Sequence, residues 1–498
     1  MTHTYDIVIV GTGAGGGTIA RELSATGRRI LLVERGGFIP QEDHNWNPSS
    51  VWKDLRYRTT ETWLDERGDA FRPYTHYCVG GNTKFWGTVM YRLRPEDFRE
   101  MEHADGVSPA WPIDYETLAP YYDRAERMYD VHGEAGIDPT EPARGPYPYP
   151  PVPHSKVVGA IVEQLRAQGL HPSPLPLGLR ENCIFCNTCN SFPCKIHAKS
   201  DADVCGVRPA TQSPNVTLWI NATARRLITD ASGHRVEALE IERDGKVETV
   251  SAPLVVVSCG AVNSAALLLR SASPRHPDGL ANSSGLVGKR YMAHLATMMQ
   301  GFHPLRKNDT VFQKTVAIND FYLRGPDTRY PLGQIQSQGR THGVMAQTVV
   351  PSVPLWAYEA WVARGVDWLA MTEDLPRLDN KITVERDGRI RLHYRPNNEV
   401  AHKQLVSKTK KILRKLGFWI VMTHSHKSRN TTHQCGTLVF GTDPQQSVLD
   451  AYCKTHDVDN LYVVDASFFP SSAAVNPGLT IVAQAIRVAD HLKETRRV

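Results

Sequence analysis

Apolar positions along this chain follow two rhythms, one continuous and one periodic. Asp6–Val10 reads as a short apolar strand, unbroken from Ile7 on, as expected of a strand covered on both faces. Glycines follow at once, then Thr18–Ala25 with helical spacing, then a second unbroken run, Arg29–Val33. Strand, turn, helix and strand in this order predict a parallel βαβ unit. The rhythm returns in "VVVSCGAVNSAALLLRSA" (255–272) as strand, turn and helix. It returns again over 460–492, where a strand ends in Asp465 and a long helix starts after Asn476-Pro477. Pro477 suits a first helical turn, where its missing N–H costs nothing. Between these units "YPLGQIQSQGR" (330–340) alternates at period two and puts Gln334, Gln336 and Gln338 on one strand face. In "KQLVSKTKKILRKLGF" (403–418), Leu405, Ile412, Leu413 and Leu416 recur near helical spacing, which makes the lysines a solvated face. The proline-rich stretch 138–153 predicts an extended surface connector. The fold class is α/β, or α+β taken whole, with a Rossmann-like unit at its start.

The first turn carries a specific chemistry. Gly11-x-Gly13-x-x-Gly16 joins the first strand to its helix, with Ala14 behind the second glycine, and Glu34 closes the second strand. Such glycines permit a tight turn, close approach of backbone to a pyrophosphate, and close helix–strand packing. The helix N-terminus supplies unpaired N–H groups to the phosphates. Glu34 stands where an acid accepts from a ribose diol, which argues against a 2′-phosphate and so against NADP. NAD and FAD both remain open from this segment.

Composition narrows the partners. The chain has 498 residues, 41% hydrophobic and 22% charged, with a formal charge of +5. Over this length that charge gives no reason to invoke nucleic acid or an anionic membrane. The longest uncharged stretch, 252–269, is interrupted by Ser258, Gly260, Asn263 and Ser264 and reads as strand, turn and helix, not as a membrane span. No basic region precedes the first strand, so the expectation is a soluble cytoplasmic protein. Nine cysteines, an odd number, suit reduced thiols. Four of them, Cys183, Cys186, Cys189 and Cys194, make CxxCxxCx4C. That spacing comes near a ferredoxin run but departs in its last gap and in the place of its proline. The expectation is no metal, with reduced thiols or local disulfides packing a loop.

Three stretches taken together decide the dinucleotide. They are the glycine-rich, aromatic loop "CVGGNTKFWGTVMYRLRPEDF" (78–98), the 255–272 unit, and "NLYVVDASFFPSSAAVNPGLTIVAQAIRVADHL" (460–492). With the His-x-x-Gly-Thr of His433–Thr437 before the last of them, the chain resembles the glucose–methanol–choline (GMC) oxidoreductases, FAD enzymes that oxidise alcohols. The resemblance implies an FAD domain from residues 1–110, 200–300 and 430–498, and an antiparallel substrate domain over 301–429. Residues 111–199 would form a connector and a cysteine-rich insert. It implies FAD contacts at Gly11, Gly13, Ala14, Gly16 and Glu34, then at Gly81, Asn82, Thr83, Gly87 and Thr88 in the second glycine-rich loop. It also implies contacts at Ala224, Asp465, Ala466, Asn476, Pro477 and Thr480. Some family members attach FAD through a histidine in that second loop; Phe85 stands at the matching place here. Phenylalanine makes no such bond, so non-covalent FAD is expected.

Alcohol oxidation needs a base for the hydroxyl proton and an acceptor for the hydride. The resemblance makes His433 the base and Asn476 its partner, whose amide orients the substrate oxygen. The other nineteen histidines receive no role, and His424 and His426, on one strand face, are too few for a metal site. The texts "VGGNTKFWG", "HADGVSPAWPIDYETLAPYY" and "YPLGQIQSQG" are similar to the bacterial pyranose and glycoside oxidases of the family. That implies oxidation of a ring hydroxyl, often at C3, with Gln334, Gln336 and Gln338 as sugar contacts and oxygen or another acceptor reoxidising the flavin. A solvated face is the plain alternative for the three glutamines. The aromatic-rich 350–371 fits a lid, a core helix or an apolar tunnel, and so leaves open a sterol or long-chain alcohol substrate. A hydroxynitrile-type lyase on the same fold is the other alternative.

Overall fold

Ile7–Val10 and Ile30–Val33 are buried at every position, so both faces of their sheet are covered. The computed structural model describes residues 2–324, 328–425 and 427–498. The sheet is parallel and runs Val216–Trp219, Ile30–Val33, Ile7–Val10, Leu254–Val257, Leu461–Val463. The chain leaves Ile7–Val10 to one side and later returns on its other side. The order therefore reverses between Ile7–Val10 and Leu254–Val257, and a crevice opens at their carboxyl ends, where ligands bind in such sheets. Helix Ala14–Ser24 packs on the last helix, Gly478–Glu494, which also packs on Tyr115–Met128. That third helix lies in the segment expected as a connector. The Asp114 carboxylate caps its N-terminus by accepting from Thr117 N at 2.8 Å.

A second sheet has six strands in the order Ile420–Ser425, Leu295–Phe302, Gly365–Thr372, Gln334–Ser337, Val316–Ile318, Pro172–Pro174, and every pairing is antiparallel. The strand Leu295–Phe302 runs across the boundary expected at residue 300, and Pro172–Pro174 comes from the 111–199 segment. Alternation sorts the two faces. One face sends Met299, Val316, Ile335, Trp368 and Ala370 against Ala401, Leu405, Ile412 and Leu413 of helix Glu399–Lys415. The basic segment 403–418 is therefore a helix whose apolar stripe covers this sheet. The opposite face carries Ala296, Met298, Leu369 and Met371. Gln334 is paired with Met371, and Gln336 with Leu369 and Ala317. Ala317 joins the core built on the parallel sheet, so this face looks inward. In the aromatic-rich segment, Leu355–Val362 is a helix and Gly365–Thr372 a central strand. Trp361 stacks on Phe302 at 3.9 Å, while Trp356 stays exposed. His424 lies in the edge strand Ile420–Ser425, opposite Met298; His426 falls outside the described residues. Among the described residues no helix is long and apolar enough to cross a membrane.

Candidate active site

The glycines of the first turn fall into two kinds. A Cβ on Gly11 would stand 2.2 Å from the Ser258 carbonyl oxygen, and one on Gly16 would stand 2.0 Å from that of Gly11. These two are demanded by the fold, Gly11 also by its φ of 99°. Gly13 differs. It caps helix Ala14–Ser24 with φ −68°, and nothing lies within 4 Å of where its Cβ would be. Gly260, ahead of helix Ala261–Arg270, is open in the same way. Gly81 lies across from Gly13, its would-be Cβ 3.6 Å from the Gly13 Cα. Two helix N-termini thus meet open space at the switch point of the sheet.

Polar groups rim that space. Glu34 is buried; its carboxylate accepts from Thr12 N at 3.2 Å, Thr12 Oγ1 at 2.5 Å and Gly36 N at 3.1 Å. Burial raises its pKa above the usual carboxylate value. Thr12 Oγ1 also accepts from Gly80 N at 3.0 Å, which ties the second glycine-rich loop to the first. In that loop Asn82 is exposed, with its Oδ1 accepting from His76 N at 2.9 Å, and Thr83 Oγ1 donates to Gly80 O and accepts from Ala202 N. Gly87 is crowded by Lys314, whose ammonium donates to its carbonyl, and Thr88 adopts φ 57° with a buried hydroxyl that has no partner. A β-branched residue in that region carries strain, of the sort that clusters at ligand sites. Phe85 is buried and stacks on His76 at 3.6 Å.

Several of the expected contacts serve the scaffold as well. Asp465 accepts from Gly260 N at 3.0 Å, Ser264 Oγ at 2.5 Å and Ser467 N at 2.9 Å, so it joins the last strand to a helix start. Ala466 O accepts from Gly436 N, which fixes the Gly-Thr turn beyond His433. The Thr480 hydroxyl bonds to Tyr122 OH at 2.8 Å. Ala224 lies beside an irregularity in strand Ala222–Thr229. Pro477 immediately precedes helix Gly478–Glu494, whose first N–H groups lack intrahelical partners.

The catalytic candidates meet. Asn476 Nδ2 donates toward His433 Nε2 at 3.5 Å, while Asn476 Oδ1 is buried without a partner. His433 is held at φ 51°, a strained backbone for a residue other than glycine. Its Nδ1 lies 3.0 Å from Nδ1 of His294, whose Nε2 faces the Ser472 carbonyl oxygen at 3.1 Å. His294 is buried, and desolvation lowers its pKa to about 4. It was not visible in the sequence, because nothing about "RYMAHLATM" marks one histidine among twenty. A faint signal was present: His294 shares strand parity with Ala296 and Met298, and so with the inward face.

That same face holds the glutamines. All three are buried, so a solvated strand face is excluded. Gln334 Nε2 donates to Asn319 Oδ1 at 2.8 Å, and the Oε1 atoms of Gln334 and Gln336 have no partner. Gln338 lies just past the strand end, its backbone N–H donating to Asp367 O. The four cysteines line one small pocket with Lys199, whose ammonium lies within hydrogen-bond distance of four backbone carbonyls including that of Cys189. All nine cysteines are free thiols, so no local disulfide packs the loop. Among the described residues no group of three or more metal-ligating side chains could hold a metal ion.

FAD fits these residues. Gly13 and Gly260 leave space where a Cβ would stand, the Glu34 carboxylate ends the second strand beside Thr12, and the orphaned Asn476 oxygen belongs to the side chain that faces His433. Comparison with known proteins agrees. Two family models, each described as GMC oxidoreductase, match residues 75–296 and 376–485. The chain is 31% identical to the 6'''-hydroxyparomomycin C oxidase of Streptomyces lividus, over 99% of this chain and 93% of that one. It is also 31% identical to the paromamine 6'-oxidase of Streptomyces fradiae, over 98% and 91%. A crystal structure of pyridoxine 4-oxidase from Mesorbium loti shares the fold, with a TM-score of 0.67 at 20% identity over 98% and 99% of the two chains. With both family models matched over most of the chain and relatives 31% identical over nearly all of it, the chain belongs to the GMC oxidoreductases, FAD-dependent enzymes acting on CH–OH groups.

Proposed function

We propose that this enzyme oxidises a secondary ring hydroxyl of a pyranose sugar or glycoside, at C3 in the first instance, with FAD bound non-covalently. FAD, when bound, supplies the acceptor for the hydride leaving the carbinol carbon. His433 Nε2 takes the hydroxyl proton. Asn476 stands against that nitrogen, and its amide donates to the substrate oxygen, holding it in line with the base. No nucleophilic ring nitrogen stands at Phe85, which supports dissociable FAD. Oxygen or another acceptor then reoxidises the enzyme.

The observation that carries the sugar reading is Gln336. Its amide oxygen is buried without a partner on the inward face of the antiparallel sheet. A buried, unsatisfied amide costs about 1–3 kcal/mol unless a ligand completes it. A polyhydroxylated ring supplies such donors beside its reacting hydroxyl, and a simple aliphatic alcohol has none to spare. Gln334 is partly committed to Asn319 and serves the sugar less. The aminoglycoside oxidases among the relatives act on sugar-derived molecules by their names, which supports the same class.

The test is anaerobic addition of glucose, then of glucosides, to the yellow holoenzyme. Bleaching of the flavin bands is expected, and Gln336→Leu should need roughly tenfold more sugar for the same rate, the worth of about one hydrogen bond. If aliphatic alcohols bleach the flavin and no sugar or glycoside does, the ring-hydroxyl reading is abandoned. Release of all flavin into the supernatant on acid precipitation checks the non-covalent attachment.

A further inference from the structure

Two histidines in contact can share protons in several ways, and the surroundings here leave one. The Ser472 carbonyl oxygen only accepts, so His294 Nε2, 3.1 Å away, carries a hydrogen and donates it. His294 is 1% exposed, which disfavours a second proton and keeps the ring neutral. A neutral imidazole protonated at Nε2 has a lone pair at Nδ1. That lone pair faces Nδ1 of His433 at 3.0 Å, a distance at which two lone pairs would repel. The hydrogen between them therefore sits on His433 Nδ1. Neutral His433 then has its lone pair at Nε2, the nitrogen turned toward Asn476 Nδ2.

We propose that His294 is a positioning residue: anchored by the Ser472 carbonyl, it holds His433 in the tautomer whose Nε2 is the base. The chain runs Ser472 O, His294, His433, with one hydrogen per contact and every donor aimed the same way. On proton abstraction the substrate O–H bond breaks, the His433 Nε2–H bond forms, and the positive charge spreads over a ring whose Nδ1–H already donates to a neutral acceptor. Such a charge-assisted bond is stronger than its neutral parent, so His294 also stabilises the protonated base. A carboxylate in this place would raise the basicity of His433 further. A buried neutral imidazole orients the base without doing so. The fold supports the arrangement from all sides. Asn430 Nδ2 donates to the His294 carbonyl at 3.2 Å, and Ser472 Oγ both donates to Asp374 O and accepts from Asp374 N. Glu373 is the charged group that acts on His294, and its carboxylate is paired with His103 at 3.1 Å and bonded by Ser108.

What the base acts on rests on the alcohol-oxidation reading; the tautomer does not. The two are therefore tested apart on the holoenzyme. Nitrogen-15 NMR of histidine-labelled protein reads which ring nitrogen bears hydrogen, with His433→Gln assigning the signal. Expected are Nδ1–H for His433 and Nε2–H for His294. In His294→Leu the His433 signal should shift toward the Nε2–H form. In His294→Asn, whose Oδ1 replaces the lost acceptor, the Nδ1–H form should return. Flavin reduction by substrate should slow about ten- to a hundredfold in the leucine variant at nearly unchanged KM and recover to within about threefold in the asparagine variant. The acid limb of the rate profile should move to lower pH in the leucine variant, because protonated His433 has lost its acceptor. His433 found as Nε2–H in the wild type, or held as Nδ1–H in His294→Leu, overturns the proposal. Equal loss of rate in both variants also overturns it, since a merely structural histidine behaves so. If no alcohol reduces the wild-type flavin, the alcohol reading fails while the NMR result still decides the tautomer.

Discussion

Gly13→Ala separates the demands of the cofactor from those of the fold. Three glycines of the first turn and helix are locked by neighbours: a Cβ would approach backbone oxygen at 2.2 Å on Gly11, 1.7 Å on Gly15 and 2.0 Å on Gly16. Gly13 has φ −68° and ψ −163°, which alanine adopts without strain, and nothing stands within 4 Å of the added methyl. The substitution should leave the apoprotein as stable as before, or raise its stability by about 0.4–1 kcal/mol through a less mobile unfolded chain. The methyl would enter the space into which a pyrophosphate must come to reach the helix N-terminus. Overpacking by one carbon costs about 1–3 kcal/mol, so the dissociation constant for FAD should rise about 5- to 150-fold. Melting curves of the apoprotein and quenching of flavin fluorescence on titration measure the two effects. Gly16→Ala is the control, expected to lose the folded apoprotein itself. If Gly13→Ala binds FAD within twofold of wild type, the pyrophosphate does not lie at this turn and the cradle has been misassigned.

Three other outcomes follow from the geometry. His433→Ala should keep its flavin spectrum and lose about a hundred- to ten-thousandfold in the rate of flavin reduction, read by stopped flow; a loss under tenfold would remove His433 as the base. Lys84 is buried between Asp201 at 3.1 Å and Asp203 at 3.0 Å, and removing it as Lys84→Met leaves Asp201 without its cation and Asp203 with Arg208 alone, at 3.1 Å. A loss of about 3–5 kcal/mol is expected in urea unfolding, and a change under 1 kcal/mol would show that the ion triad is dispensable. His402 is bonded between the hydroxyls of Thr297 and Thr372, and burial lowers its pKa to about 4 from 6.5. Below pH 6.5 the unfolded chain takes up a proton that folded His402 refuses, so stability falls from pH 6.5 toward 4. The difference between wild type and His402→Gln should shrink by up to about 3 kcal/mol over that window in urea midpoints, and a flat difference would contradict the neutral buried ring.

How much of this was legible in advance depended on the range of the interactions. The βαβ start, the turn glycines, Glu34 and the helix after Pro477 are local matters, because strand burial, turn sterics and helix capping act over a few residues and leave a pattern in the chain. The family text gave His433 and Asn476, which the fold then brought to 3.5 Å. The connector reading of 111–199 missed Tyr115–Met128 as a core helix, since its partner Gly478–Glu494 is distant in the chain. The glutamines show the same division. Their alternation put them on one face, but only the packing of that face toward the core built on the parallel sheet decided that it is buried and that Gln336 keeps an unpaired oxygen. His294 lies at the far end of that range. It meets His433 across 139 residues of chain, and no local rule records such a contact. The sequence by itself determined the βαβ start, its glycine turn and the last helix, because those follow from short-range sterics and periodic burial. Tertiary structure alone decided which histidine meets His433 and which buried amide oxygen is left unpaired, because hydrogen-bond partners are chosen by whatever the packed layers bring within about 3 Å.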